Sequence, residues 1–207
     1  MKKSNIILLS LLLISIFIMI IVQLKVKSTI IETEKFTYNY EHFSNLEIHS
    51  GWVVELQKDT ITQVTISNDS IKHLISQTKN TLVLMKNGKH RNVISISNPT
   101  IKNIKIAGNS TLRYYTESSL DSLKAILNDE SDLFIYNTKN PAEEHEKKIK
   151  YTINYLNIDC SDKSNLNIYP NVNILEGFLN DTSSLRIRGN FKVRNLEKSE
   201  KARITSW

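Results

Sequence analysis

Four segments in the second half of the chain align with one another without gaps, and this repeat constrains the fold more than any other feature. In each segment, two stretches of alternating apolar and polar residues flank a polar corner. The aligned segments cover residues 104–115, 125–136, 158–169 and 177–188. Alternation with a period of two is typical of half-buried strands, so each segment predicts a strand, a corner and a second strand.

The alignment produces columns of similar residues. The first apolar column holds Ile106, Leu127, Cys160 and Leu179, and the second holds Leu112, Leu133, Leu166 and Leu185. Between them, a serine column holds Ser110, Ser131, Ser164 and Ser183. Two positions before each serine stand Gly108, Asp129, Asp162 and Asp181. Glycine and aspartate tolerate the left-handed backbone conformations that sharp corners need, so we expect the chain to turn there.

Successive leucines of the second column lie 21, 33 and 19 residues apart. The long interval contains a charged insertion at 137–150, and without it the period is close to that of the other two intervals. A period of about 20 residues suits one coil of a parallel β-solenoid, in which each column stacks on itself. The alternative is a β-sandwich, which needs hairpins, and glycine turns between paired runs are scarce here. The repeat therefore favours an all-β solenoid domain over residues 29–207.

The N-terminus carries a different pattern. Lys2 and Lys3 precede residues 6–24, a 19-residue stretch without a charged side chain. As a helix, this stretch would extend about 28 Å, close to the thickness of a bilayer's hydrocarbon. It predicts an uncleaved N-terminal transmembrane helix, a membrane anchor over residues 1–28 that contacts the membrane through residues 6–24. A cleaved secretory signal and a buried core helix are the alternatives. The domain is then expected outside the cytoplasm, in the periplasm or at the cell surface.

The net charge of +6 does not indicate nucleic-acid binding. Four of the 27 basic residues flank the apolar stretch, and without them the remaining chain has a balance of only +2. A basic stretch does lie near the C-terminus, and it comprises Arg186, Arg188, Lys192, Arg194, Lys198, Lys201 and Arg203. A solvated face is the simpler interpretation of this stretch, and contact with an anionic glycan or lipid head group is the alternative.

The cysteine, the histidines and the short sequence motifs give no indication of catalysis. Cys160 is the only cysteine, which excludes an internal disulfide and a thiolate metal site, and its place in an apolar column predicts that it is buried in the core. The five histidines lack ligand spacing, and nucleotide-binding, metalloprotease and serine-hydrolase motifs are missing. We therefore expect no catalytic residue, no metal and no cofactor.

The stretch before the repeats adds a family resemblance. Phe43, Leu46 and Ile48 form a Phe-x-x-Leu-x-Ile opening, which leads into Gly51-Trp-Val-Val-Glu-Leu and two short apolar runs at 64–66 and 82–84. With the Ser-x-Leu-x-Ile repeats, this pattern resembles the auto-transporter adhesin head, or GIN, domain family of Bacteroidetes envelope proteins. The resemblance implies a single-stranded right-handed parallel β-helix without established enzymatic activity. It carries over no catalytic or binding residue, and the chain departs from the family by placing Asp where Gly is usual before the serine in three of the four repeats.

One surface feature follows from the repeat. Three residues beyond each leucine of the second column stand Tyr115, Tyr136, Tyr169 and Arg188, which we call the surface ladder. If Leu133 and Ile135 face inward, Phe134 and Tyr136 face outward. Aromatic faces beside a cation suit a strip that binds a sugar or a peptide. The alternative is that the rings only stabilise neighbouring strands.

The corner aspartates allow three interpretations. Asp129, Asp162 and Asp181 would stack, which is compatible with calcium binding or with the acid pair of a glycoside hydrolase. Aspartate at corners, however, usually hydrogen-bonds the local backbone, and we favour that structural role.

The sequence thus predicts a non-enzymatic envelope module, adhesin-like or a scaffold, whose partner is a glycan or an envelope protein. A regulatory or structural component of envelope-stress systems is the first alternative. A carbohydrate-active β-helix enzyme is the second.

Overall fold

The computed structural model describes residues 12, 14–19, 35–85, 88, 91–139 and 151–206. The chain divides into two compact units, Met1–Glu34 and Lys35–Trp207. In the first unit, residues 14–19 are helical and carry exposed apolar side chains such as Phe17 and Met19. The described residues of the second unit form seventeen strands and a 3₁₀ helix, Asp69–Leu74.

The predicted transmembrane helix over residues 6–24 is wrong for this structure. Within the described ranges, no helix is long and apolar enough to cross a membrane. Residues 6–11, 13 and 20–24 of the predicted span lie outside those ranges.

Two sheets make up the second unit. Sheet A has nine strands, in pairing order β1 (Phe36–Asn39), β4 (Gln63–Ile66), β7 (Asn92–Asn98), β3 (Trp52–Lys58), β9 (Thr111–Tyr115), β11 (Asp132–Tyr136), β13 (Asn165–Ile168), β15 (Ser184–Ile187) and β17 (Arg203–Ser206). Sheet B has eight strands, in pairing order β16 (Phe191–Lys198), β14 (Asn171–Leu179), β12 (Thr152–Cys160), β10 (Leu120–Leu127), β8 (Asn103–Ile106), β2 (Asn45–Ile48), β6 (Thr81–Leu84) and β5 (Ile75–Thr78).

The register of the repeats is confirmed. From β8 onward, each repeat adds one parallel strand to each sheet. The second column pairs Leu112 with Leu133, Leu133 with Leu166, and Leu166 with Leu185. The first column pairs in the same way, from Ile106 through Leu127 and Cys160 to Leu179. The pairing of Leu133 with Leu166 crosses the predicted insertion at 137–150, of which residues 140–150 lie outside the described residues.

The all-β class is confirmed, but the predicted single-stranded right-handed parallel β-helix is wrong. The strands form two mixed sheets, because β1 and β7 each pair antiparallel with β4, and β5 pairs antiparallel with β6. The β5–β6 pair is a tight hairpin, in which Thr78 lies opposite Thr81 and Lys79 adopts a φ of 52°. Because a lysine, and not a glycine, takes the left-handed conformation, the usual sequence signal of a hairpin is missing.

Alternation along the strands separates core from surface. On β11, Leu133 and Ile135 are buried, whereas Phe134 and Tyr136 are partly exposed. The buried apolar residues of both sheets form one hydrophobic core, which runs from Phe43 near the start of the unit to Ala202 near its end. The core fixes the strands and leaves alternate side chains on the outer faces of the two sheets.

Candidate functional site

Three tyrosine rings lie in a row across the outer face of sheet A. The ring centroids of Tyr115 and Tyr136 are 5.5 Å apart, with planes 18° from parallel. Those of Tyr136 and Tyr169 are 4.8 Å apart, at 32°. The ring of Phe134 lies 6.0 Å from that of Tyr136 and is almost parallel to it, at 4°. The spacing follows from the strand pairing, which sets Tyr136 opposite Tyr115 and places Tyr169 directly after the paired residues of β13.

The row becomes more accessible along the stack. Tyr115 is buried, whereas Tyr136 and Tyr169 are half-buried. Burial raises the pKa of Tyr115, and the nearby Glu55 carboxylate raises this pKa further, while Arg113 opposes both effects. Tyr115 therefore stays a neutral phenol and supports the row, and Phe134, Tyr136 and Tyr169 supply its accessible ring surface.

Arg188, the last member of the surface ladder, continues the row. Its backbone N–H donates to the carbonyl oxygen of Ile168 at 2.9 Å, just as the N–H of Tyr169 donates to that of Ile135 at 3.0 Å. The surface ladder residues thus lie at equivalent positions of successive repeats. Their role in binding stays a prediction.

Three further arginines share this face, and the surface ladder did not include them. Arg113 lies opposite Phe134 and forms an ion pair with Glu55 at 3.7 Å. The other two are Arg186 and Arg203. Arg186 lies opposite Asn167 and Thr205 in the column that also contains Phe134, and Arg203 lies opposite Ser184 in the next column. Arg186 and Arg203 are exposed. The basic stretch in the sequence was the available signal, but it did not reveal that strand pairing brings these two side chains to the face with the rings.

The corner aspartates adopt the predicted left-handed conformation. The φ angles are 55° at Asp129, 51° at Asp162 and 53° at Asp181, and Gly108 has 67° at the equivalent position. The hydroxyl of Ser161 donates to Asp162 Oδ2 at 2.9 Å, and the backbone N–H of Asp162 approaches Asp181 Oδ2 at 3.4 Å. Asp162 and Asp181 thus accept hydrogen bonds from groups at the corners, and the Asp181 carboxylate reaches the corner of the preceding repeat. Among the described residues, no group of three or more His, Cys, Asp or Glu side chains could hold a metal ion.

Cys160 is buried, as its column predicted. It pairs with Leu127 on one side and Leu179 on the other, and none of its surface is exposed. Burial raises the pKa of the thiol to about 12, and the charge of Asp159 adds to this effect, while the neighbouring Ser164 hydroxyl opposes it. A buried neutral thiol is a poor nucleophile, so its role is in packing.

Fold and surface together define an all-β protein of stacked parallel repeats with an aromatic and cationic outer face. No family model matches the chain. Nor does any curated protein match it. Among solved structures, a "putative adhesin" from Bacteroides fragilis is similar at 15% identity and a TM-score of 0.46, covering 84% of this chain and 96% of its own.

Two structures from Parabacteroides distasonis are similar over the same shares of both chains. One, a "putative adhesin", has 8% identity and a TM-score of 0.41. The other, a "putative lipid binding protein", has 8% identity and a TM-score of 0.38. The descriptions of these neighbours name adhesins and a lipid-binding protein, not enzymes.

Proposed function

We propose that this protein is a non-enzymatic, adhesin-like interaction module of the bacterial cell envelope, of the kind that the GIN resemblance implies. It binds a glycan or a protein through the outer face of sheet A. The observation that carries the proposal is the row of rings formed by Tyr115, Tyr136 and Tyr169, with Phe134 beside it.

The physical basis is the flatness and rigidity of this row. Each ring is attached to a paired strand or directly follows one, so little conformational entropy is lost when a ligand settles on it. The C–H faces of a sugar ring, or the apolar side chains of a peptide, pack against such flat aromatic surfaces. Stabilisation of the sheet by the rings explains why Tyr115 is buried, but it does not require Tyr136 and Tyr169 to remain accessible.

An array of glycans and peptides, probed with the purified full-length chain, tests the proposal. The double variant Tyr136→Ala/Tyr169→Ala should bind its best ligand about five- to 150-fold more weakly, since each lost ring contact is worth about 0.5–1.5 kcal/mol. Phe178→Ala is the matched control, because Phe178 is also an aromatic residue, 45% exposed, on the outer face of sheet B. Circular dichroism establishes that both variants are folded. Equal binding by the tyrosine variant and the wild type would refute the proposal.

A further inference from the structure

The cationic end of the outer face of sheet A adjoins the row of rings. Asn167 lies between Phe134 and Arg186 in one column, and Tyr169 follows it two residues later, so Tyr169 and Arg186 are diagonal neighbours on adjacent strands. Arg203 is in turn diagonal to Arg186, which lies opposite Thr205. Diagonal neighbours are roughly 7–8 Å apart, within the reach of one ligand.

Among the described residues of β13, β15 and β17, none of the outward side chains is acidic. The outward residues of β13, β15 and β17 are Asn165, Asn167, Ser184, Arg186, Arg203 and Thr205. Asp132 and Glu55 are carboxylates on the same face, and each already has a polar partner other than Arg186 and Arg203. Asp132 Oδ1 accepts a hydrogen bond from Asn165 Nδ2 at 2.9 Å, and Glu55 lies 3.7 Å from Arg113. Within the described part of the chain, two exposed guanidinium groups therefore lie beside accessible rings with no acidic side chain between them.

We propose that the ligand of this face is an acidic polysaccharide, an inference that rests on the proposed function. Its sugar rings lie on Tyr136 and Tyr169, and its carboxylate or sulfate groups contact Arg186 and Arg203. A guanidinium fork matches the geometry of either anion. A pyranose ring is roughly as wide as the spacing of about 4.8 Å between strands, so successive sugars can follow successive repeats.

Binding of the full-length chain to four polymers tests this inference. The polymers are polygalacturonate, which carries carboxylates, dextran sulfate, which carries sulfates, neutral dextran, and poly-glutamate as an acidic polypeptide. We expect binding to one or both acidic polysaccharides, and weaker binding to dextran and poly-glutamate. Arg186→Gln/Arg203→Gln should weaken binding about tenfold, and raising the salt from 50 to 300 mM should weaken it similarly, because these exposed charges are screened.

Lys102→Gln/Lys124→Gln is the matched control. It removes the same net charge from two exposed lysines, Lys124 on β10 and Lys102 directly before β8, where the N–H of Lys124 donates to the Lys102 carbonyl at 2.8 Å. Equal losses in both double variants would reduce the effect to net charge and overturn the inference. So would tighter binding of poly-glutamate, or no binding to either acidic polysaccharide.

The outcomes also separate this inference from the proposed function. If dextran binds as tightly as the acidic polymers, and binding is lost only in Tyr136→Ala/Tyr169→Ala, the acidic ligand is wrong and the binding face stands. If the arginine variant loses binding and the tyrosine variant does not, the rings are not part of the site and both proposals fail. Preference between polygalacturonate and dextran sulfate identifies which anion the guanidinium groups select.

Discussion

At the scale of single residues, the thiol of Cys160 is held in its neutral form by the packing of two neighbouring strands. Its pKa is raised from 9.0 to about 12, first of all by burial. In the unfolded chain the thiol ionises at the lower pKa. The stability that the buried neutral thiol contributes to the folded state is therefore fully present below about pH 9, and it is lost as the pH rises towards the pKa of the folded state.

This linkage gives a prediction for stability against pH. Between pH 8 and pH 10, the wild type should lose roughly 1.4 kcal/mol of unfolding free energy relative to Cys160→Leu, since one raised pKa costs up to about 1.4 kcal/mol per pH unit. The leucine variant should fold, because Leu127 and Leu179 occupy the same column. Urea unfolding of both proteins at the two pH values measures the difference, and the tyrosines common to both cancel. A thiol reagent should label the wild type slowly in native buffer, and fast labelling would show that the packing is different.

At the scale of strands, Gly177 marks the tightest point of the stack. It occupies the column of Ala125 and Ile158, its φ is 130°, and a Cβ there would overlap the carbonyl oxygen of Ile158. Between β14 and β16, the pairing shifts register just before this residue. A side chain at this position therefore meets both backbone strain and a neighbouring main chain that has little room to move.

Gly177→Ala should destabilise the domain by about 3 kcal/mol or more, since it adds strain to an overpacked site. Gly88→Ala is the control, because no heavy atom lies within 4 Å of a Cβ at Gly88. That change should stay within about 0.5 kcal/mol. Chemical denaturation of the two variants gives the comparison, and a similar small effect for both would mean that β12 and β14 are not packed as described.

Strand pairing could be predicted where the same residue type recurs, and not elsewhere. The leucine column gave the register of four repeats because a parallel stack places equivalent residues beside each other. The structure has a fifth repeat that the sequence pattern does not reveal, because Lys198 occupies the position equivalent to Leu179 and Ala202 the position of the serine. Lys198 is tolerated there because its ammonium group donates to the carbonyl oxygens of Ser199 and Ala202, at 3.0 and 2.8 Å. Because β17 belongs to this repeat, Arg203 was not recognised as part of the face.

At the scale of the whole second unit, the two ends of the stack differ. At one end, the antiparallel strands β1, β4 and β5 cover the first parallel strands. At the other, sheet B ends on β16 and sheet A on β17, where Val193 and Ile204 are 47% and 40% exposed. Lysines and arginines on terminal strands discourage pairing with a second copy, and both strands carry them. The antiparallel pairs of β1, β4 and β5 depend on where the whole fold places these strands, so the local pattern of residues could not indicate them.

Chemical-shift mapping tests the binding face most directly. The isotope-labelled full-length chain is titrated with short fragments of whichever polymer it binds most tightly, and backbone amide shifts are followed by NMR. We predict that the largest changes fall on β11, β13 and β15, around Tyr136, Tyr169 and Arg186, with little change on sheet B. Changes concentrated on sheet B or on the corner of Asp129, Asp162 and Asp181, or no change at saturating ligand, would contradict the outer face of sheet A as the binding site.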